Sequence, residues 1–255
     1  MSGRPTTFTE QIERTPVTFL ILVAYVTLFV ITSQGENGFQ LSFGFGGMDS
    51  ALMVDYGAQS GVFLQDGDLW RLLSSSFLHF GLIHLVFNSS ALWSLGTQIE
   101  AHLGSLRFAV LYIVSALWGG LVSAMGHQSI VLGAGGSGAL FGMLGAILVL
   151  QLRGARSALD AFESGRAKPL MGTIAFYLAI GFIIPQISGW GHLGGFLGGV
   201  LCTSLFLIPR RKGDRSGWIL RGAVAAATLA LVARTLHPVD APLIRLPVSQ
   251  ALVSS

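Results

Sequence analysis

The sequence predicts an all-α membrane protein, and three observations carry that assignment. Of the 255 residues, 52% are hydrophobic and only 11% are charged, whereas soluble domains carry about a quarter charged residues. Mean hydropathy is +0.68. The uncharged residues gather in windows of the length a spanning helix needs, about 20 residues. The 34 glycines fit the same class, because membrane helices pack through small residues. A pI near 9.4 and a formal charge of +3 do not argue for a nucleic-acid partner. The Lys and Arg residues lie mostly in short segments flanking the spans, as the positive-inside rule expects. The single cysteine, Cys202, sits in an apolar run. Alone it can form neither an intramolecular disulfide nor a thiolate metal site.

Charge-free windows place the elements in order. The first window is 15–35, between Arg14 and Glu36. It runs past a signal-peptide core and lacks a small-residue cleavage site, so it reads as a retained span. The second window is 72–99. Residues 108–152 contain no Asp, Glu, Lys or Arg, which is room for two helices with the glycine-rich stretch Gly126 to Gly136 as the turn. Residues 169–209 are charge-free too, with a break marked by Pro185 and Gly189. Six spans result, near 16–34, 82–100, 107–125, 137–152, 170–184 and 190–208. Residues 217–236 are apolar but hold Arg221 and Arg234. They fit a seventh span with snorkelling arginines or an amphipathic surface helix.

Arg153, Arg156, Arg166 and Lys168 follow span four, and Arg210, Arg211, Lys212 and Arg215 follow span six. Both groups belong on the cytoplasmic side. The segment 35–81 has one cation, Arg71, against Glu36, Asp49, Asp55, Asp66 and Asp68, and belongs outside. The chain then divides into a cytoplasmic N-terminal segment (1–15), a six-span core (16–208), and a basic segment with possible span and tail (209–255).

Polar groups inside a span are costly and mark function by default. Ser137, His192 and the pair His84 and Asn88 are such groups. Ser137 lies 16 residues before Arg153, His192 18 residues before Arg210, and His84 16 residues before Glu100. At the rise of an α-helix these are depths of roughly 24, 27 and 24 Å. All three therefore lie at one level, submerged below the outer face of a slab about 30 Å thick. Ser137 opens span four within Gly135-Gly136-Ser137-Gly138. A helix N-terminus there would offer unpaired N–H groups to an oxyanion, although a serine at that place also serves simply as a cap. His192 opens span six. Gly191, Gly195 and Gly199 form one small face of that helix, Gly194 and Gly198 a second, and Gly138 with Gly142 a matching face on span four. Such faces allow the close approach that a Ser–His hydrogen bond requires. His84 and Asn88, four apart, share a helix face and can both donate hydrogen bonds. Packing between helices would use them equally well. The acids after Ser137 are Asp160, Glu163, Asp214 and Asp240, all in loops or the tail. A hydrolase would therefore work with a dyad. There is no H-E-x-x-H and no carboxylate near the submerged histidines, so a metal site is not expected.

Together these residues resemble the rhomboid intramembrane protease family from about Asp66 to about Ile208. Trp70-Arg71 is similar to that family's W-R in the first outer loop. His84-Leu85-Val86-Phe87-Asn88 is similar to its H-x-x-x-N, and Glu100 and Gly104 to the acid and glycine closing the second span. The G-x-S-G around Ser137 and the His192, Gly195, Gly199 series complete the set. The resemblance implies a rhomboid-like six-helix transmembrane bundle, with a Ser137–His192 dyad in a water-filled cavity open to the outside. It also implies an oxyanion hole from His84, Asn88 and the Ser137 N–H. Trp70, Arg71, Glu100, Gly135, Gly138, Gly195 and Gly199 become structural support. Phe141 stands where many members carry a tyrosine packed on the histidine. The implied activity is cofactor-free and metal-free cleavage of single-span proteins in or near their transmembrane segment. The lipid bilayer is the implied surrounding, in a multi-pass cell-membrane protein. Two other classes stay open from sequence. One is a catalytically inactive, rhomboid-like binder of membrane clients. The other is a small-solute transporter, against which stands the lack of intramembrane charge along spans three to six.

Overall fold

The computed structural model describes residues 7–35, 38–39, 41–44, 47–126, 131–153, 168–183 and 187–207. The basic residues 154–167, the possible seventh span 217–236 and the tail lie outside the described residues. So do Pro185 and the middle of the glycine-rich turn. Within them the chain is an all-α bundle of apolar helices.

A short helix, α1 (Phe8–Arg14), opens on a capping box between Thr7 and Glu10 and meets α2 (Pro16–Thr32) at 103°. Pro16 occupies the first turn of α2, where its missing N–H costs nothing. A two-residue antiparallel hairpin follows, β1 (Gln34–Gly35) with β2 (Gly38–Phe39). The segment before the second apolar helix then forms α3 (Ser50–Asp55), capped by Asp49, α4 (Gly61–Gln65), capped by Ser60, and α5 (Arg71–Ser74). Arg71 ties this segment together. Its Nε donates to Asp68 at 2.8 Å, its Nη1 donates to the carbonyls of Val54 and Ala58, and its guanidinium lies over Phe63 and Trp70.

After a 96° bend the chain enters the second apolar helix. It runs as α6 (Leu82–Ala91), one π-helical stretch (Leu92–Gly96) and α7 (Thr97–Leu103). Gly104, at φ +82°, ends it in a conformation open mainly to glycine. There follow α8 (Ser105–Gly126), α9 (Ser137–Arg153), α10 (Lys168–Ile183) and α11 (Gly189–Leu207). By length and composition α8 and α11 can each cross a membrane. The two bent pairs pass the same test when each is counted as one span, and α9 and α10 are apolar but shorter. Among the described residues, each of these apolar segments overlaps one of the six expected spans, and the bent pairs extend beyond theirs.

The glycines decide which helices touch. A Cβ on Gly195 would fall 1.9 Å from the Gly138 carbonyl oxygen, and one on Gly199 2.0 Å from that of Gly142. One face of α11 therefore rests directly on the backbone of α9. Gly194 and Gly198 press on α8 at Trp118 in the same way. The expected pair of small faces thus packs against two different helices. Around this α8–α9–α11 centre, Tyr25, Phe29, Phe108, Leu111, Tyr112 and Met143 form the buried apolar core with α2. By contrast, α10 buries only Ile174 and Gly181, and leaves Phe176, Tyr177 and Ile183 exposed.

Glu100 has a role that hydropathy cannot reveal. Its carboxylate accepts from the Val17 N–H (3.0 Å), the Thr18 N–H (2.7 Å) and the Thr18 hydroxyl (2.7 Å). The residue preceding α2, Thr15, makes no side-chain cap, so a carboxylate from another helix satisfies the orphan donors there. Glu100 is 1% exposed. Replacing it with alanine strands buried donors and is expected to cost about 3 kcal/mol. Thermal unfolding in detergent reads this as a lowered midpoint, with Glu100→Gln retaining part of the stability.

Candidate active site

Ser137 is the first residue of α9, and the loop that delivers it is held at three points. Gln59 and Gly133 exchange backbone hydrogen bonds of 3.0 and 2.7 Å, the Gly135 N–H donates to the Ser75 carbonyl at 2.9 Å, and Gly136 lies against the Tyr25 hydroxyl. Gly135 takes φ +129°, a conformation that side-chain-bearing residues rarely adopt. As the opening residue of a helix, Ser137 has a backbone N–H with no partner one turn back.

His192 lies in the first turn of α11, whose entry is set by Ser188. The Ser188 hydroxyl accepts from the Gly191 N–H at 3.0 Å and pairs with the Ser123 hydroxyl at 2.8 Å, while its carbonyl accepts from the His192 N–H at 3.0 Å. The direct seating of α11 on α9 then brings the two side chains together. His192 Nε2 is 3.0 Å from Ser137 Oγ. With the proton on Nδ1, Nε2 accepts from the hydroxyl. The imidazole is buried, 6% exposed, and Phe141 stacks on it with ring centroids 4.1 Å apart and planes 14° apart. Its Nδ1 has no hydrogen-bonding partner among the described residues. Phe141, on the same helix as the serine, thus packs on the face of the ring and restrains its plane, without contacting the Nδ1 edge where a triad carboxylate would bind.

Both side chains line a cavity of about 640 Å³, with His84, Asn88, Gln59 and Ser188 among its other walls. Among the described residues its lining holds no Asp, Glu, Lys or Arg. His84 stands over Gly135, where a Cβ would fall 2.7 Å from its Cε1 and Nε2. Asn88, one turn further along α6, is buried and donates one amide N–H to the His84 carbonyl at 2.9 Å. The amide carries a second N–H, which this bond does not use. The four residues singled out from sequence thus line one chamber. Trp70 and Arg71 are not among its lining residues and lie at the start of α5. Sequence reasoning missed Gln59, Ser123, Ser188 and the buried His79. Only His79 carried a usable signal, five residues before His84 in the same apolar window.

An all-α bundle of apolar helices with a serine and a histidine from separate helices in one chamber defines a class of membrane proteins. Residues 66–209 match the rhomboid domain family model, and the chain belongs to the rhomboid family. Rhomboid protease GluP of Bacillus subtilis is 32% identical over 214 residues, covering 84% of this chain and 39% of that protein. RHOMBOID-like protein 1 of Arabidopsis thaliana is 35% identical over 146 residues, 57% of this chain and 36% of the relative. RHOMBOID-like protein 5 of the same plant is 33% identical over 158 residues, 62% and 50%. The chain spans half or less of the length of these relatives. Protease function is supported at the level of the family.

Proposed function

We propose that this chain is an intramembrane serine endopeptidase that cleaves single-span membrane proteins in or near their transmembrane segment. The observation that carries the reading is the 3.0 Å pairing of Ser137 Oγ with His192 Nε2 inside a chamber. In the proposed reaction Ser137 Oγ attacks the scissile carbonyl carbon and its proton passes to His192 Nε2. The oxyanion is met by the Ser137 N–H, His84 and Asn88. His192 then returns the proton to the leaving amine, and water, deprotonated by the same nitrogen, hydrolyses the acyl-enzyme. No cofactor or metal enters these steps. Trp70, Arg71, Glu100, Gly135, Gly138, Phe141, Gly195 and Gly199 hold the frame.

The arrangement in the bilayer follows from the cation counts. Residues 1–15 lie in the cytoplasm, 16–208 form the catalytic core, and 209–255 add a basic segment, a possible seventh span (217–236) and a tail. The chamber opens on the extracytoplasmic side of a cell membrane. With 17 residues, α9 is roughly 25 Å long, short of a 30 Å slab. With Arg153 at the inner face, its Ser137 end lies below the outer one.

A mechanism-based serine probe, followed by peptide mapping, tests the assignment. The expected result is a single adduct on the peptide containing Ser137, lost in the His192→Ala protein. An unlabelled Ser137 in a protein that still binds helical membrane clients would make the chain an inactive client binder instead.

A further inference from the structure

His79 is 0% exposed and lies in the bend just before α6, outside the dyad and the set of oxyanion donors. Burying a polar ring such as an imidazole is costly unless it is hydrogen-bonded. Its ring is packed between two others. The Tyr25 ring meets it at 4.6 Å with planes 63° apart, and the His84 ring at 5.1 Å with planes 70° apart. Tyr25 is 0% exposed too. Its hydroxyl pairs with the Tyr112 hydroxyl at 2.9 Å, and that hydroxyl donates to the Ser76 carbonyl at 3.1 Å. The Tyr25 hydroxyl also fills the space where a Cβ on Gly136 would go.

These contacts close a circuit. Tyr25 touches Gly136 beside the nucleophile and backs His79. His79 touches His84, and His84 covers Gly135 on the nucleophile's loop. The last torsion of a histidine side chain is broad, so its own rotamer preference aims the ring poorly. An oxyanion donor has to be aimed within a few tenths of an ångström. From this geometry we infer that His79, backed by Tyr25, is a positioning residue that fixes the His84 ring against the oxyanion. The inference rests on the reading of His84 as an oxyanion donor. His79 itself meets neither substrate nor the reacting atoms. It acts through the plane of its neighbour, and the ring contact, not a proton on His79, carries the effect.

The test uses the full-length protein in liposomes with a helical membrane substrate. His79→Gln and His79→Met both remove the ring while filling the space, the second without a buried polar tip, so that at least one folds. The expected result is a fall of about tenfold or more in kcat, with KM within about twofold and the unfolding midpoint near that of wild type. His79→Phe, which keeps a ring, recovers most of the loss. The double variants with His84→Ala are no slower than His84→Ala alone, because the two residues act as one unit. A kcat unchanged in the ringless variants, or a loss that multiplies with that of His84→Ala, overturns the inference and leaves the dyad standing. A His84→Ala protein as fast as wild type removes the oxyanion role and this inference with it. Cleavage undiminished in Ser137→Ala is the separate result that would remove the protease reading.

Discussion

Replacing Ser137 by alanine is expected to abolish cleavage of a membrane substrate, a loss of about 10⁴-fold or more. The fold should survive. Ser137 is only half-buried, its loop is fixed by backbone bonds at Gly133 and Gly135, and the following turn of α9 closes by its own bond from the Leu140 N–H to the Gly136 carbonyl. His192→Ala should cost as much, since the hydroxyl has no other base within hydrogen-bonding reach among the described residues. The double variant should be no slower than either single one, because residues that act as a unit lose their function once. Gel-resolved cleavage in liposomes, with unfolding midpoints as a control, reads all three. Loss that compounds from one variant to the next would mean that the two side chains serve separate steps. The unpartnered Nδ1 of His192 and the parallel Phe141 ring bear on the same point. With no carboxylate at Nδ1 among the described residues, the direction of the imidazole depends on stacking and on the seat of α11, so the proposed catalysis is tied closely to helix packing.

That dependence explains which parts of the molecule could be read beforehand. Charge-free windows reveal spans because a charged residue within the slab is costly, and the limits of α8, α9 and α11 follow Arg107, Arg153 and the glycine runs closely. The common level expected for His84, Ser137 and His192 is arithmetic on helix rise. The recurrence of Gly191, Gly195 and Gly199 signals a close approach before any partner is known. Other features depend on pairings across long stretches of chain. Glu100 caps a helix that begins 84 residues earlier, and no local pattern marks it as a cap. The π-helical stretch at Leu92–Gly96 and the bends of 103° and 96° leave hydropathy unchanged. Trp70 and Arg71 gained a role from resemblance alone, and the carbonyls that receive Arg71 became visible only in the fold. His79 precedes its span, so depth along a helix does not mark it.

Gly199→Ala should then be among the most damaging substitutions that touch nothing in the chamber. The added methyl would sit 2.0 Å from the Gly142 carbonyl oxygen and 2.4 Å from its Cα, about 1.5 Å inside an ordinary contact. The obstructing atoms are backbone within a helix, so no side chain can turn aside. Either α9 and α11 separate, or one slides along the other. Gly199 is seven residues beyond His192 on the same helix, roughly 10 Å along the axis, so a separation there is carried to the dyad. A displacement near 1 Å suffices to break a 3.0 Å hydrogen bond and costs about 100-fold in rate, on top of a stability loss of about 1–3 kcal/mol from overpacking. Gly172 supplies the contrast. It is exposed on α10, and a Cβ there meets nothing within 4 Å, so Gly172→Ala should preserve activity and add up to about 1 kcal/mol of helix stability. Both substitutions add one methyl to a membrane helix, and composition cannot tell them apart. If thermal unfolding and cleavage respond alike to the two, direct backbone contact between α9 and α11 is not what brings Ser137 and His192 together. If only Gly199→Ala fails, the pairing of the serine with the histidine depends on direct backbone contact of α9 and α11 at Gly142 and Gly199.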